Sequence, residues 1–238
     1  MENISFENLL VDRSDSDRKG HSGRAIWKNI DKTACFYHVI TKSNDGRTIF
    51  HSDSGEYRHN LLCRLCEERG ITILFSMTMP NHTHDVFLTP SWEALVDVYR
   101  NLGMNITKYL RKKDSKKYKK EFRILRRYPI YIPVRDIVAL FYLGKYIFDN
   151  PAYLASEKKF VPHSCFWMFE KNHFTTPYDA GIYEKLFGLT PQEMFTIFST
   201  KSKEEVLAFA KAKYADWDNR KTAAVFFKPP SQYVPVQG

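Results

Sequence analysis

Residues 71–88 read ITILFSMTMPNHTHDVFL, two apolar segments separated by a Pro-Asn break. The first segment, 71–79, is rich in β-forming residues and predicts a strand that enters from a core. The second predicted strand carries His82 and His84. Successive side chains of a strand point to opposite faces, so these two imidazoles lie on the same face. Imidazoles at this spacing can share one metal ion, each giving one nitrogen.

The composition favours a folded protein with a polyanionic partner. A chain of 238 residues, 43% of them hydrophobic, is long and apolar enough for one sizeable core or one domain with a smaller appendage. The net charge of +9 favours nucleic acid first and an anionic membrane surface second. Charge alone does not distinguish these partners from a soluble basic protein that has neither.

Targeting and cysteine usage favour a cytoplasmic protein, nucleoid-associated in a prokaryote, and no membrane partner. No apolar stretch approaches the roughly 20 residues of a membrane span, and the N-terminal sequence lacks the basic-then-apolar order of a secretory signal. Four cysteines do not make a disulfide scaffold in a chain of this length. Cys63 and Cys66 form a C-x-x-C within a helical pattern, without a second pair at zinc-finger spacing, so we expect them to pack.

The order of predicted elements indicates an antiparallel α+β fold. A first strand is predicted at 35–41, followed by turn residues at 44–46 and a short return strand at 48–50. A helix then starts near Asp53 as its cap and ends at Gly70. After the two strands of 71–88, Ser91 caps a second amphipathic helix. This order of strand, helix, strand, strand and helix predicts one sheet covered by a helical layer.

From residue 108 to 127 the chain is strongly basic, with aromatic residues between the charges. Cations follow phosphates and aromatic rings stack on bases, so the pattern favours nucleic-acid binding over a merely solvated surface. The predicted DNA-binding residues are Lys108, Arg111, Lys112, Lys113, Lys116, Lys117, Lys120, Arg123, Arg126 and Arg127. A β-like run at 130–134 follows and is expected at a sheet edge because it contains Pro133.

Residues 136–149 predict a helix that is stopped by Asn150-Pro151. At about 100° per residue, one apolar face is formed by Ile137, Leu140, Phe141, Gly144 and Phe148. Tyr146 and Asn150, four residues apart, are neighbours outside this face. A core-filling tyrosine would be expected among the apolar positions, so Tyr146 is a candidate for chemistry. Tyr142, one turn earlier, competes with it but is farther round the helix from Asn150.

Two motifs, MPNHTH at 79–84 and YIFDNP at 146–151, resemble those of the single-tyrosine HUH transposases. The most similar branch is the REP-associated tyrosine transposases, whose pattern runs PNHxH and then YIxxNP. The resemblance covers residues 34–155 and includes the first strand, FYHVIT at 36–41. It implies a ferredoxin-like or RRM-like HUH endonuclease core at 33–155. A flexible segment, 1–32, would precede this core, and a small C-terminal helical appendage and tail, 156–238, would follow it.

The same resemblance implies a role for each motif residue. His82 and His84 would be metal ligands, Asn150 the third ligand, and Tyr146 the nucleophile that forms a 5′-phosphotyrosine and frees a 3′-OH. A divalent ion on two imidazoles and an amide oxygen would polarise the scissile phosphate, and Mg²⁺ or Mn²⁺ suits such mixed donors. The implied activity is that of a metal-dependent transposase, an endonuclease and strand transferase on single-stranded or hairpin DNA.

One departure from the family pattern concerns the residues after each histidine. Thr83 and Asp85 stand where the family has bulky apolar residues, and they point away from the metal face. Such polar groups need hydrogen bonds or water, so we expect the back of this strand to be less buried than usual. His38, on the first strand, is expected to pack or to support the site from outside it.

Several alternatives stay open at this stage. The chain could be a domesticated, non-catalytic DNA-binding protein, an HUH replication initiator or relaxase, or an RNA-binding sheet protein. The sequence also leaves open whether Tyr146 serves its own subunit or the partner subunit of a homodimer.

In the C-terminal part, Thr190 is expected to cap one helix, and Ser202 to cap a longer helix that ends near Arg220.

Overall fold

The computed structural model describes residues 32–119, 123–126, 128–150, 169 and 177–218. The strands within these residues are β1 Phe36–Lys42, β2 Thr72–Thr78, β3 His82–Leu88 and β4 Ile130–Val134. The helices are α1 Ser52–Glu67, α2 Trp92–Lys113, α3 Ile137–Asp149, α4 Ala180–Phe187, α5 Pro191–Thr200 and α6 Lys203–Lys213. None of the described helices is long and apolar enough to cross a membrane.

The four strands form one antiparallel sheet in the order β2-β3-β1-β4. With α1 between β1 and β2, and α2 between β3 and β4, this is the βαββαβ arrangement of ferredoxin-like folds. The predicted α+β fold class is therefore confirmed. β3 and β1 occupy the middle of the sheet, and their register pairs His84 with Ile40 and His82 with Lys42. Residues paired in this way share a face, so both histidines project from the centre of the sheet on one side.

The two faces of the sheet are covered by different helices. We call the side of His82 and His84 the histidine face, and the side of Thr83 and Asp85 the carboxylate face. Side chains from α1 and α2 reach the carboxylate face, while α3 and the C-terminal helices pack on the histidine face. Gly144 lies where α3 packs on β2, and there is no room for a side chain at this position. A Cβ on Gly144 would lie 2.7 Å from Cζ of Phe75.

The C-terminal helices share the core of the sheet. The Tyr183 hydroxyl in α4 donates to the Leu74 carbonyl at 2.6 Å, and Lys145 in α3 donates to the Phe198 carbonyl at 2.7 Å. The predicted caps are observed, with Thr190 preceding α5 and Ser202 preceding α6. The prediction that this last helix reaches Arg220 is wrong, because α6 ends at Lys213. Most of the tail and residues 151–168 lie outside the described residues.

Two further local predictions are wrong. Residues 48–50 do not form a return strand, because β1 is already paired with β3 and β4 on its two sides. The backbone N–H groups of Ile49 and Phe50 donate instead to the Pro80 carbonyl, at 2.9 and 3.0 Å. Helix α1 begins with His51, not Asp53, at its cap position. Asp53 lies in the first turn and contacts α2 across the surface.

Candidate active site

The Pro-Asn break determines where the two histidines lie. β3 starts directly after it, which leaves His82 half-buried at the start of the strand and His84 buried two residues further in. Their ring centroids are 4.9 Å apart and the rings are nearly perpendicular. His82 Nδ1 lies 2.7 Å from Asn81 Oδ1, and His84 Nδ1 lies 2.9 Å from His38 Nε2. Both rings thus use Nδ1 within the protein, the arrangement that presents Nε2 to a ligand.

Both imidazoles are uncharged at neutral pH. Burial lowers the pKa of His84 well below its usual range, and the neighbouring His38, His82 and Lys42 lower it further. Burial also lowers the pKa of His82, with a contribution from Lys42 on the adjacent strand. A histidine binds a metal through an unprotonated nitrogen, so the environment keeps both rings in the uncharged state that metal binding requires.

Helix α3 brings Tyr146 to the histidines. It starts at Asp136, whose carboxylate accepts from the Val138 N–H at 2.8 Å, and it runs along the histidine face. The Tyr146 ring centroid lies 5.7 Å from that of His84, in an edge-on contact. Nζ of Lys203, at the start of α6, lies 5.6 Å from the centroid of the same ring. Two histidines and a tyrosine from distant parts of the sequence therefore meet on one face of the sheet.

Asn150 caps the C-terminal end of α3, one turn after Tyr146. Its Nδ2 is buried and has no hydrogen-bond partner among the described residues, so the fold itself does not satisfy the amide. The described residues contain no group of three His, Cys, Asp or Glu side chains that could hold a metal. Two neutral imidazoles and an amide fit an ion that takes its remaining ligands from water and phosphate.

A comparison with family models identifies the part of the chain that carries the histidines. Residues 31–134 match the model described as Transposase IS200 like. Less than half of the chain is thus similar to IS200-like transposases. The matched range includes His82 and His84 but ends before α3, so Tyr146 and Asn150 lie outside it.

One similar solved structure is described as a REP-associated tyrosine transposase bound to a REP hairpin. It is 14% identical, with a TM-score of 0.48, and the match covers 62% of this chain and 87% of that chain. No curated protein sequence matches the chain.

The carboxylate face of the sheet holds a buried polar network. Asp85 is fully buried and accepts hydrogen bonds from Arg58 in α1, from Ser76 Oγ and the Tyr99 hydroxyl at 2.7 Å each, and from Thr83 Oγ1 at 3.2 Å. The expectation that the back of β3 is less buried than usual is therefore wrong. The Arg58 guanidinium, itself 1% exposed, neutralises the carboxylate and lets the strand be covered on both sides.

The basic segment starts in the last turns of α2, and its described cations lie in different surroundings. Lys113 pairs with Asp53, and Lys117 lies over the Tyr118 ring at 5.3 Å. Four other predicted cations line a cavity of about 660 Å³ that opens on the carboxylate face; they are Lys108, Arg111, Arg123 and Arg126. Lys112 and Lys116 are exposed, and Lys120 and Arg127 lie outside the described residues.

Two cations of this cavity were not predicted from the sequence; one is Arg58, which is buried in its pair with Asp85, and the other is Arg100. Arg100 precedes the basic segment by two turns. Arg100 and Arg111 are eleven residues apart on α2, which is about three full turns, so they lie on the same side of the helix. This helical spacing is the feature of the sequence that could have identified Arg100. The remaining lining is largely apolar and aromatic and includes Tyr128 and Met104, a methionine that is 49% exposed.

Proposed function

We propose that the protein is a metal-dependent, single-stranded DNA endonuclease and strand transferase that acts through a 5′-phosphotyrosine at hairpin or palindromic DNA. The observation that supports it best is the meeting of His82, His84 and Tyr146 on the histidine face. Two of its members, His82 and His84, lie within the range that is similar to IS200-like transposases. A tyrosine beside two neutral imidazoles suits phosphoryl transfer with a covalent intermediate.

In this proposal each residue has a separate task. His82, His84 and Asn150 hold Mg²⁺ or Mn²⁺, which when bound polarises the scissile phosphate and stabilises the charge that develops on it. The Tyr146 oxygen forms a bond to phosphorus while the bond from phosphorus to the 3′ oxygen breaks. The 3′ oxygen leaves as a hydroxyl with the proton that the phenol gives up. The phosphotyrosine ester conserves the bond energy of the cleaved phosphodiester. A 3′-OH can therefore attack it later and rejoin the DNA without ATP.

The local environment of Tyr146 favours this reaction. A phenol with an ordinary pKa near 10 is a weak nucleophile at neutral pH, so the site must stabilise negative charge. Lys203 lies over the Tyr146 ring and adds a positive charge beside the reacting group. α6 thus contributes to the site from outside the range that matches the transposase family.

DNA would follow the basic cavity on the carboxylate face. Arginine and lysine side chains at its rim can neutralise phosphates, while Tyr128 and the apolar lining can contact bases that are not paired. This surface is on the opposite side of the sheet from the histidines. A hairpin held there would have to send its single-stranded end round the sheet to reach Tyr146.

The test is incubation with a labelled single-stranded hairpin DNA and Mn²⁺, followed by denaturing electrophoresis. We expect a covalent adduct with the wild-type protein, its loss with Tyr146→Phe or EDTA, and its retention with Tyr142→Phe. Tyr142 is the matched control because it lies one turn earlier on α3 and is also half-buried. An adduct that survives Tyr146→Phe would refute the assignment of the nucleophile. DNA binding without any adduct would favour the non-catalytic alternative.

The same assay distinguishes action within one subunit from action across a dimer. Because His84 and Tyr146 of one chain are in ring contact, we propose that Tyr146 serves its own subunit. Mixing His84→Ala protein with Tyr146→Phe protein should then give no adduct. Recovery of adduct in the mixture would show that the partner's tyrosine acts.

A further inference from the structure

His38 is a buried histidine that neither motif includes. It lies on β1, is 1% exposed, and stacks on His84 with ring centroids 5.1 Å apart. In the register of the sheet it is paired with Val86, next to the Ile40–His84 pair, so it projects to the histidine face. Its Nε2 lies 2.9 Å from His84 Nδ1. Its Nδ1 is buried without a hydrogen-bond partner in the described part of the chain.

One proton must lie between these two nitrogens, and its position determines what His84 can do. A neutral imidazole carries one N–H, so the position of the shared proton determines which nitrogen of each ring is bare. If His38 Nε2–H donates, then His84 carries its own proton on Nε2 and cannot bind a metal there. If His84 Nδ1–H donates to His38, then His84 Nε2 has a free lone pair. A hydrogen-bond acceptor at the position of His38 Nε2 is therefore what selects the metal-binding tautomer of His84.

We propose that His38 is a positioning residue that accepts the Nδ1 proton of His84 and thereby directs His84 Nε2 to the divalent ion. The inference rests on the proposed function, because it requires that His84 is a metal ligand. The second tautomer places an N–H on the unpartnered Nδ1 of His38, a buried donor without an acceptor. In the metal-free protein the shared proton is accordingly on His38 Nε2, and His84 carries its own proton on Nε2. When the ion binds, His84 gives up its Nε2 proton, the shared proton passes to His84 Nδ1, and His38 takes up a proton at Nδ1.

The test compares Mn²⁺ affinity, measured from the electron paramagnetic resonance signal of free Mn²⁺, in three variants. His38→Phe keeps a ring for stacking but has no acceptor, and we expect its dissociation constant to rise about 10- to 100-fold. His38→Gln places an amide group near the former Nε2 and should keep an affinity within a few-fold of wild type. His59→Phe removes another buried histidine, on α1, and should leave the affinity unchanged.

Two outcomes overturn the inference. One is a His38→Phe dissociation constant within twofold of wild type. The other is equal weakening by His38→Phe and His38→Gln in variants whose thermal unfolding shows that they are folded. If wild-type protein does not bind Mn²⁺ at all, the metal-dependent function itself fails and this inference with it.

A measurement on the wild-type protein needs no variant to fold. In ¹⁵N spectra of histidine-labelled protein, addition of the diamagnetic ion Mg²⁺ should move the His84 proton from Nε2 to Nδ1. Persistence of the Nε2–H form of His84 with the ion bound would also overturn the proposal.

Discussion

Replacing Asp85 by Asn tests whether the buried network on the carboxylate face stabilises the fold. The substitution keeps the shape of the side chain and removes its charge. It leaves the guanidinium of Arg58, which is 1% exposed, without a compensating charge. Breaking one partner of a buried ion pair costs about 3–5 kcal/mol. The hydrogen bonds from Ser76 and Tyr99 to the charged carboxylate also weaken, each from about 1.5–3 to about 1 kcal/mol, but these losses overlap with the first.

We therefore expect the free energy of unfolding to fall by about 4 kcal/mol, a large part of the 5–15 kcal/mol that is typical of a domain. The assay is equilibrium unfolding in urea followed by circular dichroism. Arg58→Met combined with Asp85→Asn removes the stranded charge, so the double variant should be at least about 2 kcal/mol more stable than the sum of the single effects predicts.

The matched control is Asp45→Asn, which breaks the exposed Arg47–Asp45 pair. Asn tolerates the positive φ of 59° at this position, so only the surface charge pair is lost. This change should alter stability by less than about 0.5 kcal/mol. A loss below about 1 kcal/mol for Asp85→Asn, or strictly additive effects in the double variant, would refute the role that we assign to the network.

Three further predictions concern pH, salt and packing. Burial lowers the pKa of His38 to about 4, against about 6.5 unfolded, so the contribution of His38 to stability should fall by about 3 kcal/mol as pH drops from 6.5 to 4. His38→Phe should remove this part of the pH dependence in urea unfolding, while the part that comes from His84 remains. Arg111→Gln should lower the slope of log K against log salt in DNA binding by about one, whereas Lys185→Gln on α4 should not; an unchanged slope would remove Arg111 from the interface. Gly144→Ala places a Cβ 2.7 Å from Cζ of Phe75 and should lower the free energy of unfolding by about 1–3 kcal/mol. Gly103→Ala, whose Cβ has no atom within 4 Å, should stabilise α2 slightly. Equal effects of the two changes in thermal unfolding would contradict the close packing of α3 on the sheet.

Much of the fold could be predicted because the deciding signals are local. The alternation of a strand determines that His82 and His84 share a face, and this requires no knowledge of the tertiary structure. Helical spacing likewise separates Tyr146 and Asn150 from the apolar side of α3. The contact between Tyr146 and His84, however, depends on how α3 crosses the sheet. Only the resemblance of the two motifs to a family suggested it before the structure was known.

The wrong predictions have non-local causes. The run at 48–50 has β-forming residues, yet no strand forms because both sides of β1 are already paired. Whether β1 has a free side depends on strand order, which the sequence does not reveal.

His38 was expected to pack or to support the site, and its hydrogen bond to His84 depends on the same pairing of β1 with β3.

Asp85 shows why a departure from a family pattern must be judged from its contacts. An acidic residue in the middle strand of a sheet, where the family that the motifs resemble has apolar residues, could mark a copy that has lost its function. A carboxylate that had arisen in such a copy would be expected to lack partners in a closed core. Here Arg58, Ser76 and Tyr99 come from α1, β2 and α2 and all donate to it. Because Asp85 directly follows His84, this network fixes the backbone of β3 from behind at the point where the proposed ligand projects. The departure thus gives no sign of decay, and it anchors the strand that carries both histidines.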